Sequence, residues 1–431
     1  MAKVKVDFTK IVGRIKPMHA VNNGPVNKGG DQIRSNFKSF QAAGIPYVRN
    51  HDASFWAAYG GEHTVDVHAI FPDFDADPLD PASYDFTLTD RYTELILTTG
   101  AEVFYRLGSK IEHWPKKYGV IPPKDFQKWA VICEHIIAHY NEGWADGFHW
   151  NIRYWEIWNE ANMKQDTTWV GTDEAFFEFY ATAALHLKKR FPELKIGGPA
   201  LAYGFGDYLK RFLAYMVEKK VEIDFLSWHL YMISTQEMLS YDKEIRETLD
   251  KYGYKDTESI LDEWNYVKDW KEGFVDTLKV ITGVKGSAFT SACMLAAQNS
   301  SIDMLMYYDC RPCAFNGMYD FITLEPYKGY YPFLMFHDLY QAGSQVEAFS
   351  DDPNVYVVGA VDEEGKPYVM ISYYHDECVA SNQVLFELTG TEKCNFDCYV
   401  LDENTDCMHT ISISGDGGSL ILKPFTTVLL K

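Results

Sequence analysis

Two stretches decide how this chain is read: Arg153-Tyr154-Trp155-Glu156-Ile157-Trp158-Asn159-Glu160-Ala161-Asn162 and Ser259-Ile260-Leu261-Asp262-Glu263-Trp264-Asn265. Each opens as a short run of apolar, aromatic and β-branched residues, the composition of a buried strand, and each ends in acidic and amide side chains. A strand that is apolar along its body and polar at its C-terminal end suits a parallel barrel, whose functional face is built from the loops after the strands. Alternation with period two places Glu156, Trp158 and Glu160 on one face, with Glu160 where strand gives way to loop.

Working outward, similar runs occur at 11–19, 45–51, 101–107, 195–199, 224–230 and 303–308, which with 153–158 and 259–264 make eight. Stretches of helical period lie between them, at 31–43, 122–141, 173–190 and 234–252. Asp125 behind Pro122-Pro123, and Thr172 ahead of Asp173-Glu174, have the chemistry of helix starts. Eight strand-then-helix units predict an α/β fold, a (β/α)8 TIM barrel over residues 1–343. Past Gly343 the long helical periods stop. Runs at 355–361, 367–374, 384–388, 396–401 and 419–431, joined by turn-forming stretches such as Gly415-Asp416-Gly417-Gly418, predict a small antiparallel β-sandwich domain over 344–431.

Composition narrows the partners. The 431 residues hold 40 Lys+Arg against 61 Asp+Glu, a formal charge of −21, which argues against nucleic acid and against an anionic membrane surface. No window approaches the ~18 uncharged apolar residues of a membrane span, and the first residues lack a signal-peptide core. The expectation is a cytoplasmic protein whose eight cysteines are reduced, with a homo-oligomer left open. Aromatic residues make up 16% of the chain, enough to fill a core and leave flat faces over for a ligand.

In a barrel, Glu160 and Glu263 would face each other across the mouth. Two such carboxylates are the parts of glycoside hydrolysis, one giving a proton and the other acting as nucleophile or base. A glutamate taken alone is more often a surface ion-pair partner; the neighbouring Asn159 and the strand-end position favour the catalytic reading.

The sequence then resembles a known family. Trp155-Glu156-Ile157-Trp158-Asn159-Glu160 with Leu261-Asp262-Glu263-Trp264 is similar to the acid/base and nucleophile signatures of clan A retaining glycosidases, and more narrowly of glycoside hydrolase family 39, which holds β-xylosidases and α-L-iduronidases. Tyr47-Val48-Arg49-Asn50-His51, the Pro-Pro-Lys-Asp-Phe-Gln-Lys-Trp core of 119–130, Ser227-Trp228-His229-Leu230-Tyr231 and Lys328-Gly329-Tyr330-Tyr331-Pro332 agree with it. The resemblance implies a barrel followed by a small β domain, an oligosaccharide or small glycoside as substrate, and neither metal nor cofactor. It implies Glu263 as nucleophile, its charge held by Arg49 and Tyr231, and Glu160 as acid/base. Asn159 would grip the sugar 2-hydroxyl, with His229 and His51 lining the pocket. Trp56, Trp114, Trp158 and Trp264 lie in or beside these segments and become candidates to cover a sugar face, each also suited to core packing.

The eighth strand departs from the family pattern. It reads Met304-Leu305-Met306-Tyr307-Tyr308-Asp309-Cys310-Arg311-Pro312-Cys313, with Tyr308 where the clan carries a Trp and Asp309 with Arg311 where the xylosidases carry an acidic pair. Arg311 could pair with a uronic acid carboxylate or with acids of this chain. The weaker signals, His135 and His139 four apart and the Cys310-x-x-Cys313 pair, read as a helix surface and free thiols. The leading expectation is a retaining, exo-acting, β-xylosidase-like hydrolase of short oligosaccharides. Its rivals are an endo-acting or uronide- or arabinoside-specific enzyme of the clan, or a catalytically silent sugar-binding barrel.

Overall fold

The computed structural model describes residues 1–27, 35–53, 63–163, 166–202, 206–391, 394–415 and 417–431. The first strand, β1 (Ala2–Arg14), stands outside the barrel, which is built from β2 (Ala20–Asn22), β3 (Tyr47–Arg49), β4 (Glu102–Leu107), β5 (Tyr154–Ile157), β6 (Lys195–Leu201), β7 (Phe225–Met232), β8 (Glu258–Tyr266) and β9 (Met304–Tyr307). Neighbours pair in parallel all the way round, and β2 closes the ring by pairing with both β3 and β9. These strands are buried on both faces, which is why they read as nearly continuous apolar runs. The helices are α1 (Phe37–Ala42), α2 (Val67–Ile70), α3 (Thr87–Thr98), α4 (Phe126–Asn141), α5 (Asp173–Arg190), α6 (Gly206–Lys219), α7 (Thr235–Lys251), α8 (Phe274–Thr282), α9 (Val284–Gln298) and α10 (Tyr331–Ala342).

Three of the long helices, α4, α5 and α7, start on a capping side chain. The Thr172 hydroxyl accepts from Ala175 N at 3.1 Å, with Asp173 and Glu174 in the first turn and Lys188, Lys189 and Arg190 in the last. Asp125 accepts from Lys128 N at 3.0 Å, so α4 begins at Phe126 and the two prolines lie before the cap, later than the expected 122.

The expectation at the chain start is corrected. Residues 11–19 do not form the first barrel strand; β1 runs antiparallel to β10 (Ser344–Ser350) and parallel to β13 (Asn382–Thr389) in a second sheet. Ala2, Val4, Val6 and Phe8 are buried while the residues between them are less so, the period-two signature of a strand with one covered face. The barrel instead opens on the three-residue β2, too short to announce itself. With β11 (Val355–Val361), β12 (Pro367–Tyr373), β14 (Asn395–Leu401), β15 (Asp406–Ser414), β16 (Gly418–Leu422) and β17 (Thr427–Leu430), the second sheet has nine strands in the order β15-β14-β17-β12-β11-β10-β1-β13-β16. It folds over itself: Phe8 on β1 stacks on Phe396 of the distant β14 with centroids 6.0 Å apart, around a core that includes Val4, Val6, Phe386 and Val428. The run expected at 419–431 divides into β16 and β17.

Helix α9 is buried on nearly every side because it lies between barrel and sheet, Ser372 Oγ of β12 donating to Ala288 O at 2.9 Å. Among the described residues no single helix is long and apolar enough to cross a membrane.

Candidate active site

At the end of β5 the alternation read from sequence breaks. Trp158 (φ 76°) and Glu160 (φ 53°) both adopt left-handed backbone, costing on the order of 1–3 kcal/mol each for residues with a Cβ. Bonds to neighbouring strands fix the turn: Trp158 N donates to Leu107 O at 2.6 Å and Glu160 N to Ala200 O at 2.8 Å. Trp158 is thereby swung away from the barrel interior into a cluster with Trp129, Trp169 and Phe179, its indole N–H donating to Thr168 O at 2.8 Å. Glu160 turns back into the mouth.

A bulge does the equivalent work on β8. Trp228 of β7 pairs with Leu261 and His229 with Glu263, so Asp262 is an extra residue in the register; the β8–β9 pairing is also irregular here. Two consecutive acids then face the same cation, Asp262 Oδ2 lying 3.1 Å from Arg49 Nε and Glu263 Oε2 3.3 Å from Arg49 NH1. Trp264 points the other way, fully buried against Phe289 and Tyr307. The expectation that Trp264 and Trp158 cover a sugar is therefore corrected: both are core.

Arg49, at the end of β3, organises the floor. Beyond Asp262 and Glu263 its fork donates to Glu156 Oε2 (2.7 Å), Asn22 Oδ1 (3.0 Å) and Asn159 Oδ1 (2.7 Å). Burial would strip its charge, but Glu156, Asp262 and Glu263 more than offset that and hold it protonated. Because Arg49 occupies the amide oxygen of Asn159, the buried Nδ2 is left without a partner in the protein and is available to donate to a ligand.

The two glutamates meet through His229. Its Nδ1 is 2.8 Å from Glu160 Oε1 and 3.6 Å from Glu263 Oε2; one carboxylate oxygen of each and a ring nitrogen all lie within 4.8 Å of one another. Burial pushes Glu160 up to about 7, against the pull of Arg49 and His113, and its Oε2 has no partner in the protein. Burial also lifts Glu263, to which the Glu160 charge adds, but His229, Arg49 and the Tyr231 hydroxyl, which donates to Oε1, oppose the rise. Burial lowers His229 to about 4, so its ring is neutral. Among the described residues the set able to close on a metal ion is this same trio. Arg49 against Glu263 and the proton on Glu160 both weigh against a cation there.

The remaining expected residues divide. His51 is buried with Nδ1 unpartnered and lies 6.2 Å, ring to ring, from half-buried Tyr308. Arg311 lies against acids of this chain, NH1 3.4 Å from Asp52 Oδ2 and Nε 3.2 Å from Asp309 Oδ2, so its charge is already matched and the uronate reading loses its cation. Trp114 is 62% exposed on the loop after β4, and Trp56 lies outside the described residues. His139 bonds to Asp90 and stacks on Phe86, and all eight cysteines are free thiols.

Sequence reasoning missed an aromatic wall and an acid. Trp270, 52% exposed, packs edge-on against Tyr231 (4.8 Å) and, with Phe315, continues toward Tyr308. Buried Asp52, beside His51, is 3.0 Å from His63 Nδ1 and 3.5 Å from the Tyr308 hydroxyl. Neither sits in a recognisable motif, though adjacency to His51 was a usable signal for Asp52.

Known proteins share stretches of this sequence and its fold. The profile of the family described as "Glycosyl hydrolases family 39" matches residues 7–272. A protein of Geobacillus stearothermophilus described as "Beta-xylosidase" is 28% identical over 201 residues, 44% of this chain and 36% of its own length. Another, from Caldicellulosiruptor saccharolyticus, is 32% identical over 165 residues, 35% of this chain and 31% of its own. The matched region thus spans about a third of either curated relative. Among solved structures, a glucosidase from Croceicoccus marinus superposes with a TM-score of 0.82 at 21% identity, covering 100% of this chain and 98% of that one. A monomeric β-xylosidase from Caulobacter crescentus gives 0.70 at 15%, covering 99% and 98%. A GH39 enzyme from Xanthomonas axonopodis pv. citri gives 0.67 at 15%, covering 99% and 96%. These superpositions share the barrel and its companion sheet.

Proposed function

The chain belongs to glycosyl hydrolases family 39, and on that premise we propose that it is a retaining, exo-acting glycosidase, β-xylosidase-like, that cleaves short oligosaccharides or small glycosides. The observation that carries the mechanism is the separation of the two glutamates. One oxygen of each lies within 4.8 Å of the other's, a closeness that favours direct attack by one carboxylate over the ~6.5–9.5 Å carboxyl separation of an inverting enzyme.

In the first step Glu160 gives its proton to the leaving oxygen while the Glu263 carboxylate bonds to the anomeric carbon, releasing the leaving group and forming a glycosyl ester. The ester removes the charge of Glu263. Glu160, now ionised, takes a proton from the water that attacks the same carbon, and Glu263 departs as carboxylate. Arg49 and Tyr231 favour the anion of Glu263 before and after the ester, and Asn159 Nδ2 is free to donate to the sugar hydroxyl beside the reacting carbon. The xylose preference rests on the curated relatives, which are β-xylosidases over the matched third. Exo action on short substrates rests on the free thiols, which suit the reducing cytoplasm where polymers do not arrive.

A panel of aryl pentosides, hexosides and uronides tests the reading, with proton NMR following the anomer released first. We expect the β-D-xyloside to be turned over best and the first sugar formed to be β; a first product of inverted configuration contradicts the mechanism, and preference for a uronide contradicts the specificity.

A further inference from the structure

We propose that Glu156 and Asp262 share one buried proton beneath the catalytic glutamates, carried on Asp262, and that this proton keeps His229 neutral so that Glu160 retains its own; the proposal rests on the reading of Glu160 as the acid. Four buried carboxyl groups meet at the barrel mouth: Glu156 and Glu160 from the β5 segment, Asp262 and Glu263 from β8. The cation among them is Arg49 of β3, and the other titratable groups are His229 and Tyr231 of β7, the Tyr231 hydroxyl donating to Glu263. One guanidinium cannot hold four carboxylates out of water, so some of them must keep a proton. Glu160 holds one, and the nucleophile must be ionised. The second proton belongs to the remaining pair, Glu156 and Asp262, which converge on the same Arg49 Nε at 2.7 and 3.1 Å and whose other oxygen atoms, Glu156 Oε1 and Asp262 Oδ1, are buried without a hydrogen-bond partner.

Geometry says which partner carries it. Glu156 Oε2 is nearer the Arg49 Nε, 2.7 Å against 3.1 Å for Asp262 Oδ2, so the negative charge settles on Glu156 and Asp262 carries the proton. The electrostatics run the same way: burial, then Glu156, push Asp262 well above the carboxylate range, while Arg49 overcomes burial and draws Glu156 below it.

Asp262 Oδ1 lies 3.5 Å from His229 Nε2, and the opposite nitrogen, Nδ1, lies 2.8 Å from Glu160. A neutral imidazole has one N–H. Facing a neutral Asp262, the ring places it on Nε2, leaving the Nδ1 lone pair to accept from the Glu160 hydroxyl. Facing an ionised Asp262, the ring would be drawn toward imidazolium, Nδ1 would donate to Glu160, and the acid would be lost. Asp262 is thus a positioning residue acting through His229, and its proton stays in place through the cycle, because the proton Glu160 gives to the leaving oxygen returns from water.

Infrared difference spectroscopy of the full-length chain near neutral pH tests this without substrate. The spectrum of Glu160→Gln minus that of Glu160→Gln/Asp262→Asn should contain one protonated-carboxyl C=O band that shifts in D2O. A difference containing only an ionised carboxylate stretch overturns the proposal. Nitrogen NMR of His229, assigned against His229→Asn, should give the neutral Nε2–H tautomer; imidazolium or Nδ1–H overturns it. In Glu156→Gln, Asp262 must become the anion facing Arg49, so the basic limb of kcat/KM should fall by about one pH unit, and an unmoved limb contradicts the coupling. Because the spectroscopic readouts need no turnover, failure of the glycosidase reading and failure of the shared proton are distinguishable.

Discussion

The ends of β5 and β8 present the same side chain at the same depth to the same imidazole, yet they prepare it for opposite work. Glu160 meets one neutral ring and has an oxygen with no partner in the protein, so burial dominates and the proton stays to about pH 7. Glu263, equally buried, receives a guanidinium and a phenol, and those donors favour its anion. Burial alone therefore does not decide a carboxylate's role. The number and charge of the donors aimed at it do, and here the backbone sets them, through two left-handed residues on one strand end and a bulge on the other.

The largest effect should come from removing the ionised member. Glu263→Ala should lower kcat/KM for an aryl glycoside by at least about 10⁴-fold, and added azide should return a glycosyl azide of inverted configuration; activity within tenfold of the parent would sink the assignment. Glu160→Ala should cost about 10²–10⁴-fold, most for poor leaving groups that need the proton, and azide should here give the retained anomer. The same comparison sets the pH profile. With Glu160 as the proposed acid, ionising near 7, activity should fall as pH rises through about 7, and that limb should vanish from Glu160→Ala acting on a leaving group that needs no acid.

The division between the two ends depends on Arg49, so Arg49→Lys should blur it. A lysine supplies one point charge where the fork serves Glu156, Asn159, Asp262 and Glu263 together. We expect about 3 kcal/mol of lost stability in thermal or denaturant unfolding and about a 10²-fold loss of kcat; a change in KM alone would mean that Arg49 binds sugar rather than holding the nucleophile. The smallest effects separate the tryptophans. Trp270→Ala should raise KM about tenfold with the fold intact, whereas Trp264→Phe should cost on the order of 1 kcal/mol in stability and leave KM alone.

That last contrast shows what was legible in the sequence. The barrel was, because strands buried on both faces are apolar along their length, and so was the meeting of Glu160, Glu263, Arg49, Asn159, His229 and Tyr231, which occupy strand ends in a recognisable order. The directions of Trp158 and Trp264 were not. Alternation fails where φ turns positive or a residue is inserted, and neither event leaves a glycine or proline behind to mark it. β1 was misplaced for a different reason: its pairing partners are more than 300 residues away, and only the period of its buried side chains hinted at a one-faced sheet. Arg311 looked available because its acids, Asp52 and Asp309, arrive from opposite ends of the barrel sequence.

The most direct test of the division of labour is to trap the ester. A 2-deoxy-2-fluoro-β-xyloside with an activated leaving group should add one glycosyl mass to the protein, and peptide mapping by mass spectrometry should place it on Glu263. The same mass on Glu160 would contradict the account.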